Sequence, residues 1–380
     1  MITHPLIALD IGSTKVACAI GQPHEHAPGF ELLGASLVPY PVCPEGWLGD
    51  LLMVSRTIEQ ALEATAVRGD FDRALVTISH PLLISEHAKV AVPLGDEPIT
   101  VRTQDLGRLQ TSALNQVLGV DREPLLVERL GCSGNGFENV RDPRGLSATR
   151  LLGAYHVLTI PMAARRALVQ AVESAGLEVA GLSYTMPALL ASAGEDELYS
   201  RRALVMDVGG LTTDVGLFAD GVLRAARIVP WGGLTLCTAI AKDFGVTMEQ
   251  ALTWSLEGAS CRKPEVRKLV EDGWHALQQA VDALLDGEPK PDAALICGRA
   301  ALMDGFAEWI ERETGIPASV IRSPRVTRAG DLSRQVGLSA AIGTLELASR
   351  ASNGFSHKPS SPRFINRLIE RTRTILTEYF

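Results

Sequence analysis

An apolar run that ends on an aspartate and opens into a glycine turn occurs twice in this chain. The first reads Leu-Ile-Ala-Leu-Asp-Ile-Gly from Leu6 and continues through Ser13, Thr14 and Lys15. The second reads Ala-Leu-Val-Met-Asp-Val-Gly-Gly from Ala203 and continues through Thr212, Thr213 and Asp214. A run that is apolar on both faces is a central strand of a sheet covered on both sides. Laying Asp10 on Asp207 also lays Gly12 on Gly209, so two lobes of one design, related by internal duplication, are expected. The length of 380 residues agrees, since it exceeds what a single core usually serves.

The remaining pattern divides around these two runs. Residues 1–83 form the N-terminal part of the first lobe, with helical periodicity at Leu51, Val54, Ile58 and Leu62 and a strand over 74–79. Over 84–154 the texture changes to a small α+β insertion, with extended segments at 87–93 and 125–130, a helix after Thr103 and a loop over 131–136. The first lobe resumes over 155–201, with a strand at 156–161, a helix at 163–175 ended by Gly176, and a short helix at 187–193. The second lobe has a core over 202–234, a helical subdomain over 235–289 and a returning core over 290–330. Helices are expected at 235–244, 247–256 and 264–285, and a strand at 293–297. A closing segment, 331–350, carries an Ala- and Gly-rich helix over 335–349 suited to close packing, and 351–362 is a polar Ser, Pro and Gly linker.

Composition narrows the class. No apolar run approaches the ~20 residues that span a bilayer, and the net charge of −8 argues against a nucleic-acid partner. The N-terminus lacks the basic and apolar regions of an export signal, so a cytoplasmic chain is expected. Cys18, Cys43, Cys132, Cys237, Cys261 and Cys297 lie apart without CxxC spacing, which suggests small core residues rather than zinc or disulfides. His24 and His26 read as an exposed loop, and Arg262, Lys263, Arg267 and Lys268 as a solvated helix face.

The turns carry the chemistry. Gly12, Ser13, Thr14 and Lys15 offer backbone amides, hydroxyls and a cation to a phosphate, although a hairpin with a glycine bulge would look the same. The second copy, with Gly209, Gly210, Thr212 and Thr213, strengthens the reading, because two opposed hairpins can clamp a polyphosphate from both sides. A third element, Leu295 to Leu302, has Gly298 and Arg299 at a strand-to-helix junction where a purine can lie against backbone; an ordinary turn is the alternative. Asp10, Asp207 and Asp214 are candidates for holding Mg²⁺ through water, since that ion keeps several waters and few carboxylates.

This ordered trio is similar to the two phosphate loops and the adenosine loop of the actin, hexokinase and heat-shock chaperone superfamily. Several stretches resemble the FtsA family of bacterial division proteins: Ile99-Thr100 with Asp105, residues 151–160, Ala175-Gly176-Leu177, Val229-Pro230-Trp231-Gly232-Gly233 and the terminal helix. The resemblance implies an α/β, two-lobed actin-like (ribonuclease H-like, duplicated) fold with an FtsA-type α+β insertion and a C-terminal amphipathic helix. It implies ATP and Mg as cofactors, with Gly232, Gly233 and Trp254 joining the loops as contacts. It further implies self-association into filaments, other division proteins as partners, and capture of the C-terminal tail of the tubulin-like FtsZ. The place implied is the cytoplasmic face of the inner membrane at the division site. Leu211 replaces the family's third glycine and Arg299 its second adenosine-loop glycine, while Ala251, Trp254, Cys237 and Ala239 replace polar positions; this implies at most slow ATP hydrolysis. Trp254 and Arg299 would stack on adenine or ribose, or serve lobe packing. A small-molecule kinase of the same fold and a pilus-assembly adaptor are the alternatives.

The terminal segment is the most specific single feature. Phe364, Ile365, Leu368, Ile369, Ile375, Leu376, Tyr379 and Phe380 fall on one helical face, opposite Arg367, Arg371 and Arg373. Such a helix, tethered by 351–362, suits an anionic membrane surface, with a helix docked on the protein's own core or on a partner as the alternative.

Overall fold

The computed structural model describes residues 5–24, 29–40, 49–69, 71–194, 201–326 and 332–352. Strand β1 (Leu6–Ile11) pairs antiparallel with β2 (Lys15–Pro23), and β2 pairs antiparallel with β3 (Phe30–Pro39). Helix α1 (Leu51–Ala64) starts where the Asp50 carboxylate accepts from the Met53 amide at 2.9 Å, and buries Val54, Ile58 and Ala61. It returns the chain to β4 (Arg73–Ile78), parallel to β1.

The insertion follows. It comprises β5 (Ile84–Pro93), β6 (Ile99–Thr100), α2 (Thr103–Val117), β7 (Arg122–Gly134), β8 (Phe137–Val140), β9 (Ser147–Ala148) and β10 (Arg150–Pro161). Its main sheet has the order β5-β10-β7-β8, with β6 and β9 forming a separate two-stranded pair. Asp105 accepts from the Arg102 amide at 2.9 Å to start α2, whose Leu106, Leu109 and Leu114 bury against Tyr155 and Val157 in a core of the insertion's own. The loop expected over 131–136 is corrected: Gly131 to Gly134 extend β7, and the chain turns only at Asn135 and Gly136. The glycines there mark crowding, since a Cβ on Gly131 would lie 2.0 Å from Asn139 Oδ1 and one on Gly134 2.6 Å from the Phe137 ring. Strand β10 also runs unbroken through the boundary expected at 154, paired along its length with β5 and β7.

Helix α3 (Met162–Ser174) leads to β11 (Glu178–Tyr184), parallel to β4, and to α4 (Thr185–Ser192). The first sheet is then complete as β11-β4-β1-β2-β3. The second lobe repeats it. Strands β12 (Arg202–Val208), β13 (Thr213–Ala219) and β14 (Val222–Val229) form an antiparallel meander, and helices α5 (Gly233–Phe244), α6 (Met248–Leu256) and α7 (Pro264–Leu285) follow. Strand β15 (Ala293–Cys297), helix α8 (Phe306–Thr314) and strand β16 (Ala318–Val320) complete the order β14-β13-β12-β15-β16. Strand for strand, the order and directions match the first sheet, which is the duplication expected from Asp10 and Asp207.

Helix α9 (Leu332–Ser352) packs back on β1, β2 and α4. A Cβ on Gly343 would stand 1.7 Å from the Ala188 carbonyl, so the two helices meet backbone to backbone. One continuous core joins the lobes, with Leu9, Ile78 and Tyr184 from the first and Val205, Phe218 and Leu295 from the second. Among the described residues no helix is long and apolar enough to cross a membrane. The terminal stripe from Phe364 to Phe380 lies outside the described residues.

Candidate functional site

The first glycine turn is tied down at each end. The Gly12 amide donates to the Lys15 carbonyl at 3.0 Å, and the Tyr40 hydroxyl donates to the Gly12 carbonyl. The Lys15 ammonium donates to the Asp10 carboxylate, with which it forms an ion pair, and to the Gly337 carbonyl of α9 at 3.1 Å. The expected phosphate cation is therefore committed to a neighbour.

The second turn is built alike, with the Gly209 amide donating to the Thr212 carbonyl at 2.9 Å. Gly232 and Gly233 brace it: the Gly233 and Leu234 amides donate to the Gly209 and Gly210 carbonyls at 2.9 and 2.8 Å. A Cβ on Gly232 would meet the Gly209 carbonyl at 2.5 Å, which is why the turn needs a glycine. Thr213 Oγ1 donates to the Trp231 carbonyl at 2.9 Å, so this hydroxyl serves the turn. Gly298, with φ of +87°, closes against the end of β12, where an added Cβ would lie 2.2 Å from the Val208 carbonyl.

These pieces converge. A Cβ on Gly210 would lie 3.1 Å from Thr14 Cγ2 and 3.4 Å from Ser13 Cβ, and one on Gly233 2.9 Å from Ala300 Cβ. The Arg299 guanidinium donates to Thr14 Oγ1 at 3.0 Å and so spans the lobes. The turns at residues 12–15, 209–210, 232–233 and 298–300 thus meet at one junction between the lobes.

Three carboxylates gather beside this junction. Asp207 stands opposite Asp214 in the β12–β13 ladder. Burial, then the charges of Asp214 and Asp10, push the Asp207 carboxyl up to about 7, with Lys15 opposing. Burial raises Asp214 to about 6, against the hydroxyls of Ser79 and Tyr184 beside it. Ser79, just past β4, donates to Asp214 Oδ2, and the buried Tyr184 hydroxyl lies beside the same carboxylate. Among the described residues no group of three or more His, Cys, Asp or Glu could hold a metal ion directly. Asp10 and Asp214 lie close enough to Asp207 for their charges to raise its pKa, and such a cluster of carboxylates suits a cation held through water.

Trp254 is not brought to the loops. Its ring meets Phe244 edge-on at 5.7 Å, with Lys263 Nζ 4.3 Å over its face. Phe244 ends α5, about 17 Å along the helix from the junction at ~1.5 Å per residue. Ala251 and Cys237 are buried in the second lobe's core. Sequence reasoning did not mark Tyr40, Ser79 or Tyr184. The usable signal was Ser79, a small polar residue at the carboxyl end of a parallel strand, where α/β sheets place ligand sites. A cavity of about 510 Å³ opens elsewhere, on the insertion's sheet beside Lys89, Arg150 and Asn139, away from these groups.

Two sheets of one order, joined where three glycine turns meet, define the actin-like class of fold. The chain overlays the PilM-PilN type IV pilus biogenesis complex with a TM-score of 0.68 at 16% identity, covering 91% of this chain and 99% of that one. It overlays MreB5 of Spiroplasma citri bound to ADP with a TM-score of 0.51 at 11% identity, over 93% and 99% of the two chains. Residues 80–159 match the SHS2 domain inserted in FtsA. The cell division protein FtsA of Rhizobium meliloti is 30% identical over 260 residues, which are 66% of this chain and 58% of that protein. The match therefore spans under two thirds of the relative's length. The resemblance to FtsA is borne out: this is an actin-like chain carrying FtsA's inserted domain.

Proposed function

We propose that this chain is an ATP-binding, membrane-associated protein of bacterial division that joins FtsZ to the cytoplasmic face of the inner membrane and assembles with copies of itself. The observation that carries the reading is the coincidence, in one chain, of glycine turns meeting between two like lobes and a match to the domain inserted in FtsA. Ser13, Thr14, Gly209 and Gly210 would hold the phosphates of ATP, and Gly298 would face the base. Asp10, Asp207 and Asp214 would position Mg²⁺ through water. Bound ATP would supply an anion that ties the lobes together; binding rather than turnover is the proposed role, because Leu211 and Arg299 stand where the resemblance implies glycines.

Capture of the FtsZ tail belongs to the second lobe in this reading. Met248, Leu252 and Leu256 stand exposed at four-residue spacing on α6, on the same subdomain as Arg262 and Lys263. An apolar stripe near cations suits an acidic, partly apolar peptide. The test is co-sedimentation of the full chain with vesicles of one-third anionic lipid, with and without purified FtsZ. The chain is expected to pellet with the vesicles and to carry FtsZ down with it. Pelleting equally well without residues 363–380, or leaving FtsZ in solution, would refute the tether.

A further inference from the structure

We infer that Arg299, rather than Lys15, is the cation by which this junction discriminates a nucleoside polyphosphate from a nucleoside; the inference rests on the ATP-binding reading above. Lys15 stands in the first glycine turn, yet its ammonium is paired with Asp10 and bonded to the Gly337 carbonyl. Its charge is neutralised before any ligand arrives. Arg299 stands in the third turn and reaches across to Thr14 of the first. Among the described residues it forms no ion pair, and burial lowers its pKa with no carboxylate raising it. A half-buried guanidinium whose bonded partner is a neutral hydroxyl is under-satisfied. Among the described residues its other donors meet no further acceptor, and a guanidinium–phosphate pair, ionised on both sides, adds mutual charge attraction that a neutral hydroxyl does not supply.

Geometry adds to the charge. Arg299 follows Gly298, whose φ of +87° and contact with the Val208 carbonyl fix the turn's path, so the side chain is launched from a rigid point. The Gly210 backbone lies beside the same Thr14. An anion held at Thr14 therefore meets backbone of the second loop and the guanidinium of the third. Arginine presents a planar fork of donors to such an anion, which a lysine cannot reproduce.

The experiment is calorimetric titration of the full chain with Mg-ATP and, separately, with adenosine, for the native protein, Arg299→Gln and Arg299→Lys. The native chain is expected to bind Mg-ATP at least tenfold more tightly than adenosine. Arg299→Gln is expected to cut that ratio about tenfold while adenosine affinity stays within twofold and the melting temperature is retained; Arg299→Lys restores part of the ratio. An unchanged ratio in Arg299→Gln, or tighter ATP binding by it, overturns the inference, since the side chain would then be a lobe clasp or a plug. A native chain that binds neither ligand sinks the ATP reading itself, and that outcome is seen before any variant is made.

Discussion

Asp207 and Asp214 stand directly opposite one another across the β12–β13 ladder, and two carboxyls so placed, one of them fully buried, cannot both ionise cheaply. Asp207 titrates near 7 in the folded chain through burial and the nearby charges of Asp214 and Asp10. Unfolded, it titrates near the ordinary value of about 4. Between those values the folded state holds the extra proton, so the pair's contribution falls as pH rises from about 4 to about 7 and is level above that. Asp207→Asn, which mimics the protonated form, is therefore expected to melt at the native temperature near pH 4 and several degrees above it at pH 8. Melting curves across that range check this, and a variant less stable at pH 8 than the native chain would contradict it.

The seam between the insertion and the second lobe has the opposite dependence. His156 is fully buried; Nε2 lies 2.7 Å from Ser85 Oγ and Nδ1 3.1 Å from the Leu223 carbonyl of β14. Burial, then the neighbouring His87, lowers its pKa to about 4. A depressed histidine pKa means the unfolded chain binds the proton first, so stability is lost as pH falls from about 6.5 towards 4. Amide exchange in β10 and β14 is expected to quicken over that interval. His156→Ala, which strands the Leu223 carbonyl, is expected to cost about 1–3 kcal/mol at pH 7.5, read by denaturant unfolding.

How much of this was legible can be judged from particular elements. The run at 264–285 reproduces α7 and 293–297 reproduces β15, because helical period and an unbroken apolar strand are local signals. The duplication was legible from Asp10 and Asp207 alone. Strand β11, Glu-Val-Ala-Gly-Leu-Ser-Tyr, was not, since its burial comes from neighbours outside its own pattern. Gly131 read as a loop because a glycine's letter does not say whether it supplies freedom or room for Asn139. The bond between Arg299 and Thr14 joins positions 285 apart, and the Lys15–Asp10 pair depends on how the turn curls; spacing encodes neither.

Gly298→Ala addresses the junction's architecture. The residue holds φ at +87°, and an added Cβ would lie 2.2 Å from the Val208 carbonyl, a backbone atom that cannot rotate away. With ψ at 146°, this extended positive-φ region is essentially reserved for glycine and costs an L residue roughly 1–3 kcal/mol. The collision must be relieved by moving the turn. The variant is expected to lose about 2–4 kcal/mol in denaturant unfolding and to shift amide signals of residues 208–210. A fully stable variant with unmoved signals would show that the turn does not press on β12.

Gly343→Ala tests the helix crossing that lets α9 close the first lobe. The added methyl would stand 1.7 Å from the Ala188 carbonyl, so α9 and α4 must separate. Overpacking of this kind costs about 1–3 kcal/mol, and more where both partners are backbone. Because α9 also supplies the Gly337 carbonyl to Lys15, the displacement is expected to loosen the first turn as well as lower the melting temperature. Faster amide exchange at Gly12 and Lys15 in Gly343→Ala, but not in a mid-surface control on α1 such as Glu59→Ala, would establish that route.

The proposed membrane helix yields a prediction in which two effects differ in size. Each large apolar side chain on its stripe gains roughly 1 kcal/mol by partial insertion, and each arginine adds about 1 kcal/mol at an anionic leaflet. Eight apolar groups therefore outweigh the net excess of two positive charges that four arginines hold over two glutamates. Leu368→Asp with Ile375→Asp both removes apolar area and forces charge into the interface, and is expected to abolish vesicle binding. Arg367→Gln with Arg371→Gln is expected to weaken binding some tenfold to thirtyfold, roughly 2 kcal/mol, while leaving it measurable. Raising salt from 0.1 to 0.5 M should imitate the arginine variant and not the apolar one, because screening acts on exposed charges and leaves insertion intact. If salt alone releases the chain completely, attraction between charges rather than burial of the stripe holds it to lipid.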